Sequence, residues 1–296
     1  MPRSLEKAIV RTLVYADLFD YPLAKEEIWR RLIECNNVTI RQLADKCNDE
    51  INKTKIIKKK NKYYFLRGRN IIIGLRKDRE HYCEEKIEIA RRVTKLLKLI
   101  PSVKFIGLTG AVAVGNADED DDIDLLIVTS GNLLWTTRFL VTLSVDLMRL
   151  RRRPGDKKVK NKICLNMFID ENHLAIGKDE RDLFTAYEIV QMKPLFERDN
   201  LYQKFIQDNL WVRKYLPNAK NFTIRQFYNY SISRLKTSFI ENLLKSFQLS
   251  YMRKRRTTEK IKTGVIRFHP RDIRKEIMKQ FAVRTKSPLD KVFFTG

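Results

Sequence analysis

The sequence predicts an α+β protein: a mixed sheet with packed helices, preceded by a small unit of helices and a hairpin and followed by a helical C-terminal region. Three observations lead there. Apolar residues recur at helical spacing from Leu5 and again from Glu84; three short apolar runs, at 103–108, 123–129 and 163–169, have the length of strands; and the first two runs are joined by a turn rich in glycine and acids. At 296 residues the chain exceeds one domain of roughly 100–200 residues, and its 43% hydrophobic content suffices for packed cores.

The elements follow in order. Leu5, Ile9, Leu13 and Ala16 mark a first helix over 5–19, which Tyr21-Pro22 ends, and a second is expected over 24–33. Thr39-Ile-Arg-Gln42 has the form of a capping box, so a third helix starts there. Ile56-Ile57 and Tyr63–Leu66 read as two strands around a charged turn. Helices followed by a basic hairpin resemble a winged helix-turn-helix, and this sets an expected first domain of residues 1–68. An amphipathic helix over 84–100 (Ile87, Ala90, Val93, Leu97) closes at Pro101. The central domain is expected over 84–195: strand 103–108, the turn Gly110–Gly115, strand 123–129, a helix over 133–150, a basic loop with Pro154-Gly155, and strand 163–169. From Asp179 onward the chain reads as helical, and residues 196–296 form the expected basic C-terminal region. Its apolar stripe Ile232, Leu235, Phe239, Leu243 and Phe247 suits core or partner packing.

The net charge of +24 is unevenly spread. Residues 1–68 carry 15 Lys and Arg against 9 Asp and Glu, residues 69–200 carry 23 against 21, and residues 201–296 carry 22 against 6. A nearly neutral centre is thus flanked by basic arms. The densest runs are Lys53–Lys62, Arg149–Lys162 and Arg253–Lys262, and such a field favours polyanions. RNA or DNA is the expected partner, with an anionic lipid surface near Lys245–Arg256, where aromatic and basic residues mingle, as a weaker alternative. No transmembrane segment is predicted: the run 133–150 is interrupted by Arg138 and Asp146, and the N-terminus has no signal-peptide core, so the expected compartment is cytoplasmic. Cys35, Cys47, Cys83 and Cys164 form no CxxC pair, and His81, His173 and His269 have no ligand spacing. Neither a disulfide framework nor a zinc site is expected; each cysteine is read as packing, and His173 and His269 as ordinary structural residues.

The chemistry lies in Gly110–Val128. Residues two apart on a strand point to the same side, so Asp122 and Asp124 offer both carboxylates to one face while Ile123 and Leu125 face the other. Mg²⁺ takes hard oxygen ligands and is commonly held by one or two carboxylates with substrate phosphates. The glycines of the upstream turn let the backbone approach closely and direct its N–H groups at phosphate. An isolated acidic loop would read as a solvated turn; here the flanking glycines, the strand alternation and the preceding strand agree with one another.

These residues resemble the signature of the DNA polymerase beta-like nucleotidyltransferases, a Gly-Ser turn followed about a dozen residues later by Asp-x-Asp on a strand, in the minimal bacterial form. The likeness covers Phe105 to Ile169. It implies that Gly110, with Thr109, Ala111 and Gly115, cradles a nucleotide, that Asp122 and Asp124 bind Mg²⁺, and that a nucleoside monophosphate passes from a nucleoside triphosphate, commonly ATP, to a hydroxyl acceptor. Two positions depart from the pattern. Ala111 stands where the family has Ser, with Thr109 as a partial substitute for the hydroxyl. The third carboxylate position, on the next strand, is best matched by Asn166, which ligates weakly and is no base. Asp170 shares its strand parity with Asn166 but lies about 13 Å along the strand at ~3.3 Å per residue. Glu188 is a weaker site candidate. The alternative reading is a catalytically degenerate fold acting as a nucleic-acid-binding regulator.

Overall fold

The computed structural model describes residues 4–53, 56–219, 239–253, 260–267 and 273–286. The chain begins with helix α1 (Leu5–Asp17), whose first turn is capped by Ser4 accepting from the Lys7 amide. Strand β1 (Leu23–Ala24) leads into α2 (Lys25–Arg30), where Glu27 reaches back to the Ala24 amide at 2.8 Å. Helix α3 (Ile40–Lys53) opens as the sequence predicts: Thr39 Oγ1 accepts from the Gln42 amide and Gln42 Oε1 from the Thr39 amide. Strands β2 (Ile57–Lys60) and β3 (Tyr63–Leu66) form the expected hairpin, turning at Asn61 with φ +55°. The three strands pair antiparallel in the order β1-β3-β2.

Helix α4 (Ile72–Leu97) starts twelve residues before the expected helix. Its early turns carry charges that are used internally, so they lack a legible apolar face. Arg76, 7% exposed, pairs with Glu27 and Glu80 and lies over the rings of Tyr21 and Tyr63. Then come β4 (Val103–Leu108), the short α5 (Gly110–Val114), β5 (Ile123–Thr129), α6 (Leu134–Leu147) and β6 (Ile163–Asp170). Helix α7 (Leu183–Gln191) is followed by β7 (Lys193–Glu197), α8 (Leu201–Asp208), α9 (Phe239–Arg253), the hairpin β8 (Lys260–Lys262) and β9 (Val265–Arg267), and α10 (Ile273–Lys286).

The main sheet has the order β7-β4-β5-β6-β9-β8, with β5 and β6 parallel and the other pairs antiparallel. The reading of everything beyond Asp179 as helix is corrected here. β7 fills the free edge beside β4 and β9 the edge beside β6. These strands are short and carry Lys193, Pro194, Lys260 and Lys262, the residue types that blunt sheet edges and mask a strand pattern in the sequence.

Both faces of the sheet are covered. Ile123, Leu125 and Ile127 pack with α4, α6 and α9, whereas Leu126, Val128, Met167 and Ile169 join a core that includes α1, α7, α8 and Phe281 of α10. Helix α9 turns Glu241, Gln248 and Met252 inward: Glu241 accepts from the Trp135 and Thr136 amides at the start of α6. Phe239, Leu243 and Phe247 of the predicted stripe therefore lie exposed, and Ile232 and Leu235 fall outside the described residues. The N-terminal unit joins the sheet directly. Tyr15 stacks on Tyr187 at 4.1 Å, the Tyr21 hydroxyl donates to the Val114 carbonyl at 2.9 Å, and Asn116 Nδ2 donates to the Phe19 carbonyl at 2.8 Å. No helix among the described residues is long and apolar enough to cross a membrane.

Candidate functional site

The turn after β4 is built against Asp124. The Thr109 amide donates to the Asp124 carbonyl at 3.0 Å and its hydroxyl to the same oxygen at 3.4 Å, so that hydroxyl is turned back onto the strand. Gly110 has φ +65°, and a Cβ built there would stand 2.5 Å from Asp124 Oδ2. Only glycine fits both the dihedral and the gap. α5 begins at Gly110 and ends at Gly115, which is left-handed at φ +77°. The Ala111 carbonyl accepts from the Asn116 amide at 2.9 Å.

The acidic run divides by role. Asp118 pairs with Arg79, Glu119 with Lys160, and the Asp118 amide donates to Asp121 Oδ2. Lys86, 1% exposed, donates to the carbonyls of Glu119 and Asp121 and to Asn161 Oδ1, tying α4 to this turn and to the start of β6. Burial pushes the Lys86 ammonium below its ordinary range. Those four acidic residues, 118–121, are thus structural or solvated, and Asp122 and Asp124 remain for the site.

Asp122, Asp124 and Cys164 are half-buried, and one ligand atom from each falls within 4.8 Å of the others. The parallel register sets this cluster, because Asp124 lies opposite Cys164 and Leu125 opposite Leu165. The next pair is Leu126 with Met167, which leaves Asn166 as an extra residue in a bulge. Three expectations change as a result. The residue beside Asp124 is Cys164, which had been read as packing. Asn166 has no partner on β5, and its buried side-chain oxygen accepts no hydrogen bond among the described residues. Asp170, opposite Thr129, lies on the face away from Cys164, since residues 124 and 129 are an odd number apart and the bulge has shifted the parity of β6. Asp170 instead accepts from the amides of Asn132 and Asn172 and sits 3.6 Å from His173 Nδ1. The signal for Cys164 was present in principle: if the two strands run parallel, the neighbour of Asp124 comes from the start of β6. The pairing itself could not be read from the sequence.

The charges around the carboxylates are few. Arg152 Nη1 donates to Asp122 Oδ2 at 2.5 Å, a contact the sequence hid inside a basic run. Burial, and then repulsion by Asp122, pushes the Asp124 carboxyl well above its usual range, with the Cys164 thiol and Arg152 acting the other way and Glu188 adding to the rise. Burial and the same carboxylates push the Cys164 thiol far up. Glu188 of α7 is raised by burial from 4.5 to about 7, opposed by Arg267. Two carboxylates and a sulfur converging on one point, desolvated and mutually repelling, form a donor set that fits a divalent cation.

Arg152 comes from the loop 149–162, whose other side lines a cavity of about 390 Å³ with Arg149, Arg151, Arg153, Lys157, Lys158 and Lys162. Asp146 answers Arg151 and Arg153 there. On the hairpin, Lys59 and Lys60 are exposed and Lys58 half-buried. All four cysteines are free, and His269 and part of the basic run 253–262 lie outside the described residues.

A family defined by a nucleotidyltransferase domain matches residues 87–249, more than half of the chain, and the protein belongs to that family. Its mixed α+β fold is accordingly the polymerase beta-like nucleotidyltransferase fold. No curated protein and no solved structure is similar enough to match.

Proposed function

We propose that the protein transfers a nucleoside monophosphate from a nucleoside triphosphate, with ATP as the donor, to a hydroxyl acceptor, releasing pyrophosphate, with Mg²⁺ held by Asp122 and Asp124. The observation that carries this reading is the convergence of the two carboxylates beneath a turn whose Gly110 leaves no room for a side chain over Asp124. When bound, the ion neutralises charge on the transferring phosphoryl group and aligns it. The protein's own part is positional. Thr109 anchors the turn to β5, Gly110 and Ala111 present backbone amides at the start of α5, and Gly115 sets the exit of the turn. Arg152, already bound to a carboxylate, is within reach to exchange that partner for a phosphate oxygen. Asn166 cannot act as a base; Glu188 of α7, near enough to Asp124 to raise its carboxyl electrostatically, is the nearby acid we propose for removing the acceptor proton.

The order helix, strand, helix, helix, hairpin, with sheet order β1-β3-β2, supports reading residues 1–68 as a winged-helix-like domain beside a nucleotidyltransferase domain of 84–195 and a basic region of 196–296. The exposed hairpin lysines and the basic cavity of loop 149–162 favour a polyanionic acceptor, RNA or DNA, met in the cytoplasm. The half-exposed Ala111 and the neutral Asn166 favour the second reading, a regulator that binds nucleic acid without catalysis.

Incubating the protein with each labelled triphosphate, Mg²⁺ and cellular RNA, protein or metabolites separates the two readings. Label transfer is expected, and Asp122→Asn or Asp124→Asn should reduce it by roughly two orders of magnitude or more while the fold survives. Full activity in both variants overturns the site; nucleic-acid binding with no transfer to any acceptor supports the regulator.

A further inference from the structure

The third position beside the two carboxylates is held by sulfur, and we infer that Cys164 is a ligand that turns this site toward borderline cations such as Co²⁺ and Zn²⁺ at the expense of Mg²⁺. The inference rests on the metal role proposed for Asp122 and Asp124.

Three features of this chain support it. The parallel register sets Cys164 opposite Asp124, and its sulfur lies within 4.8 Å of a ligand oxygen of each carboxylate. Cys164 is also the exception among the four cysteines: Cys35, Cys47 and Cys83 are buried, and Cys164 is half-buried at a point where polar groups meet. The bulge at Asn166 comes two residues later, so β6 presents Cys164 on the carboxylate face and then turns Met167 and Ile169 onto that face to close the core. Among the described residues no third carboxylate joins the cluster, and Asp170 is committed to the Asn132 and Asn172 amides on the other face. Mg²⁺ demands hard oxygen donors in near-octahedral array, whereas a thiolate selects softer ions. A site with two oxygens and one sulfur therefore binds the borderline ions with a preference that an all-carboxylate site lacks.

Divalent-ion affinities by themselves rank Co²⁺ and Zn²⁺ above Mg²⁺ at most sites, so the informative quantity is how the ratio changes when the sulfur is replaced. The test is titration of the full chain with Co²⁺ and separately with Mg²⁺, by absorption and calorimetry, in the native protein, Cys164→Ser and Cys164→Asp. The native protein should develop a thiolate-to-cobalt charge-transfer band that Cys164→Ser lacks. The ratio of Co²⁺ to Mg²⁺ affinity should fall by about tenfold or more in Cys164→Asp. A native protein that binds Co²⁺ without the band, in a manner abolished by Asp124→Asn, overturns the role of Cys164 and leaves the carboxylate site standing. Binding that is indifferent to Asp122→Asn and Asp124→Asn overturns both. Should Cys164→Asp fail to fold, the band and its loss in Cys164→Ser still decide the matter.

Discussion

A Cβ on Gly110 would stand 2.5 Å from Asp124 Oδ2, closer than a real Cβ comes to a non-bonded atom. Gly110→Ala must therefore push the carboxylate aside or unwind the turn, and at φ +65° it also meets backbone strain of about 1–3 kcal/mol. The variant is expected to unfold at lower denaturant and to lose triphosphate binding. Equilibrium unfolding together with nucleotide titration checks both, and native-like nucleotide affinity would show that the turn does not contact the ligand.

Arg152 occupies Asp122 as a competing cation would. Removing it in Arg152→Ala should raise divalent-ion affinity by up to about fivefold, the scale of a partly exposed ion pair worth about 0.2–1 kcal/mol. Triphosphate affinity should fall in the same variant. Opposite signs in two calorimetric titrations distinguish this role from simple loss of structure.

Glu188 predicts a pH dependence of stability. Its carboxyl is raised from 4.5 to about 7 in the folded chain, so between those values the folded state keeps a proton that the unfolded state has released. Unfolding then releases protons, and rising pH favours it across that window. Native stability should accordingly fall from about pH 4.5 to about pH 7 and level off above. Glu188→Gln loses this contribution and keeps that of the raised Asp124 carboxyl, so its slope should be shallower, and its melting temperature should exceed the native value at about pH 8 and approach it near about pH 4. Parallel melting curves across pH would remove the buried-carboxyl account of Glu188.

The hairpin lysines predict salt-sensitive binding of nucleic acid. Log affinity for tRNA, single-stranded RNA or duplex DNA should fall linearly with log salt, by about 0.7–0.9 per phosphate contact. Replacing Lys58, Lys59 and Lys60 with Ala should weaken binding across sequences and flatten the slope by about 1 per lost contact. Absence of binding to all three at low salt would exclude nucleic acid as the partner.

Much of the nucleotidyltransferase part was legible because its signals are local. The apolar runs at 103–108 and 123–129 coincide with β4 and β5, and the two-residue spacing of Asp122 and Asp124 survives folding as convergence. Thr39 and Gln42 announced α3 by their own chemistry. What escaped depends on contacts distant in sequence. Arg76 is buried only because Glu27 and two tyrosines surround it, and β7 and β9 are strands only because β4 and β6 offer open edges. The bulge at Asn166 reverses the parity of the rest of β6. A period-two count therefore put Asp170 on the wrong face, and Cys164 was missed because the pairing that sets it beside Asp124 is not written in the sequence.

The bonds from Tyr21 to the Val114 carbonyl and from Asn116 to the Phe19 carbonyl make the loop between α1 and β1 a brace for the glycine turn. Arg79 strengthens it by reaching both Phe19 and Asn116. The brace joins the N-terminal unit to the glycine turn through Phe19, Tyr21, Val114, Asn116 and Arg79, and thermodynamic reciprocity applies to any ligands of the two. A ligand on the N-terminal unit that eases or tightens this loop changes the affinity of the turn for a phosphate by some factor, and phosphate at the turn changes the affinity for that first ligand by the same factor. An acceptor held on the N-terminal unit would therefore set how firmly the turn holds its phosphate.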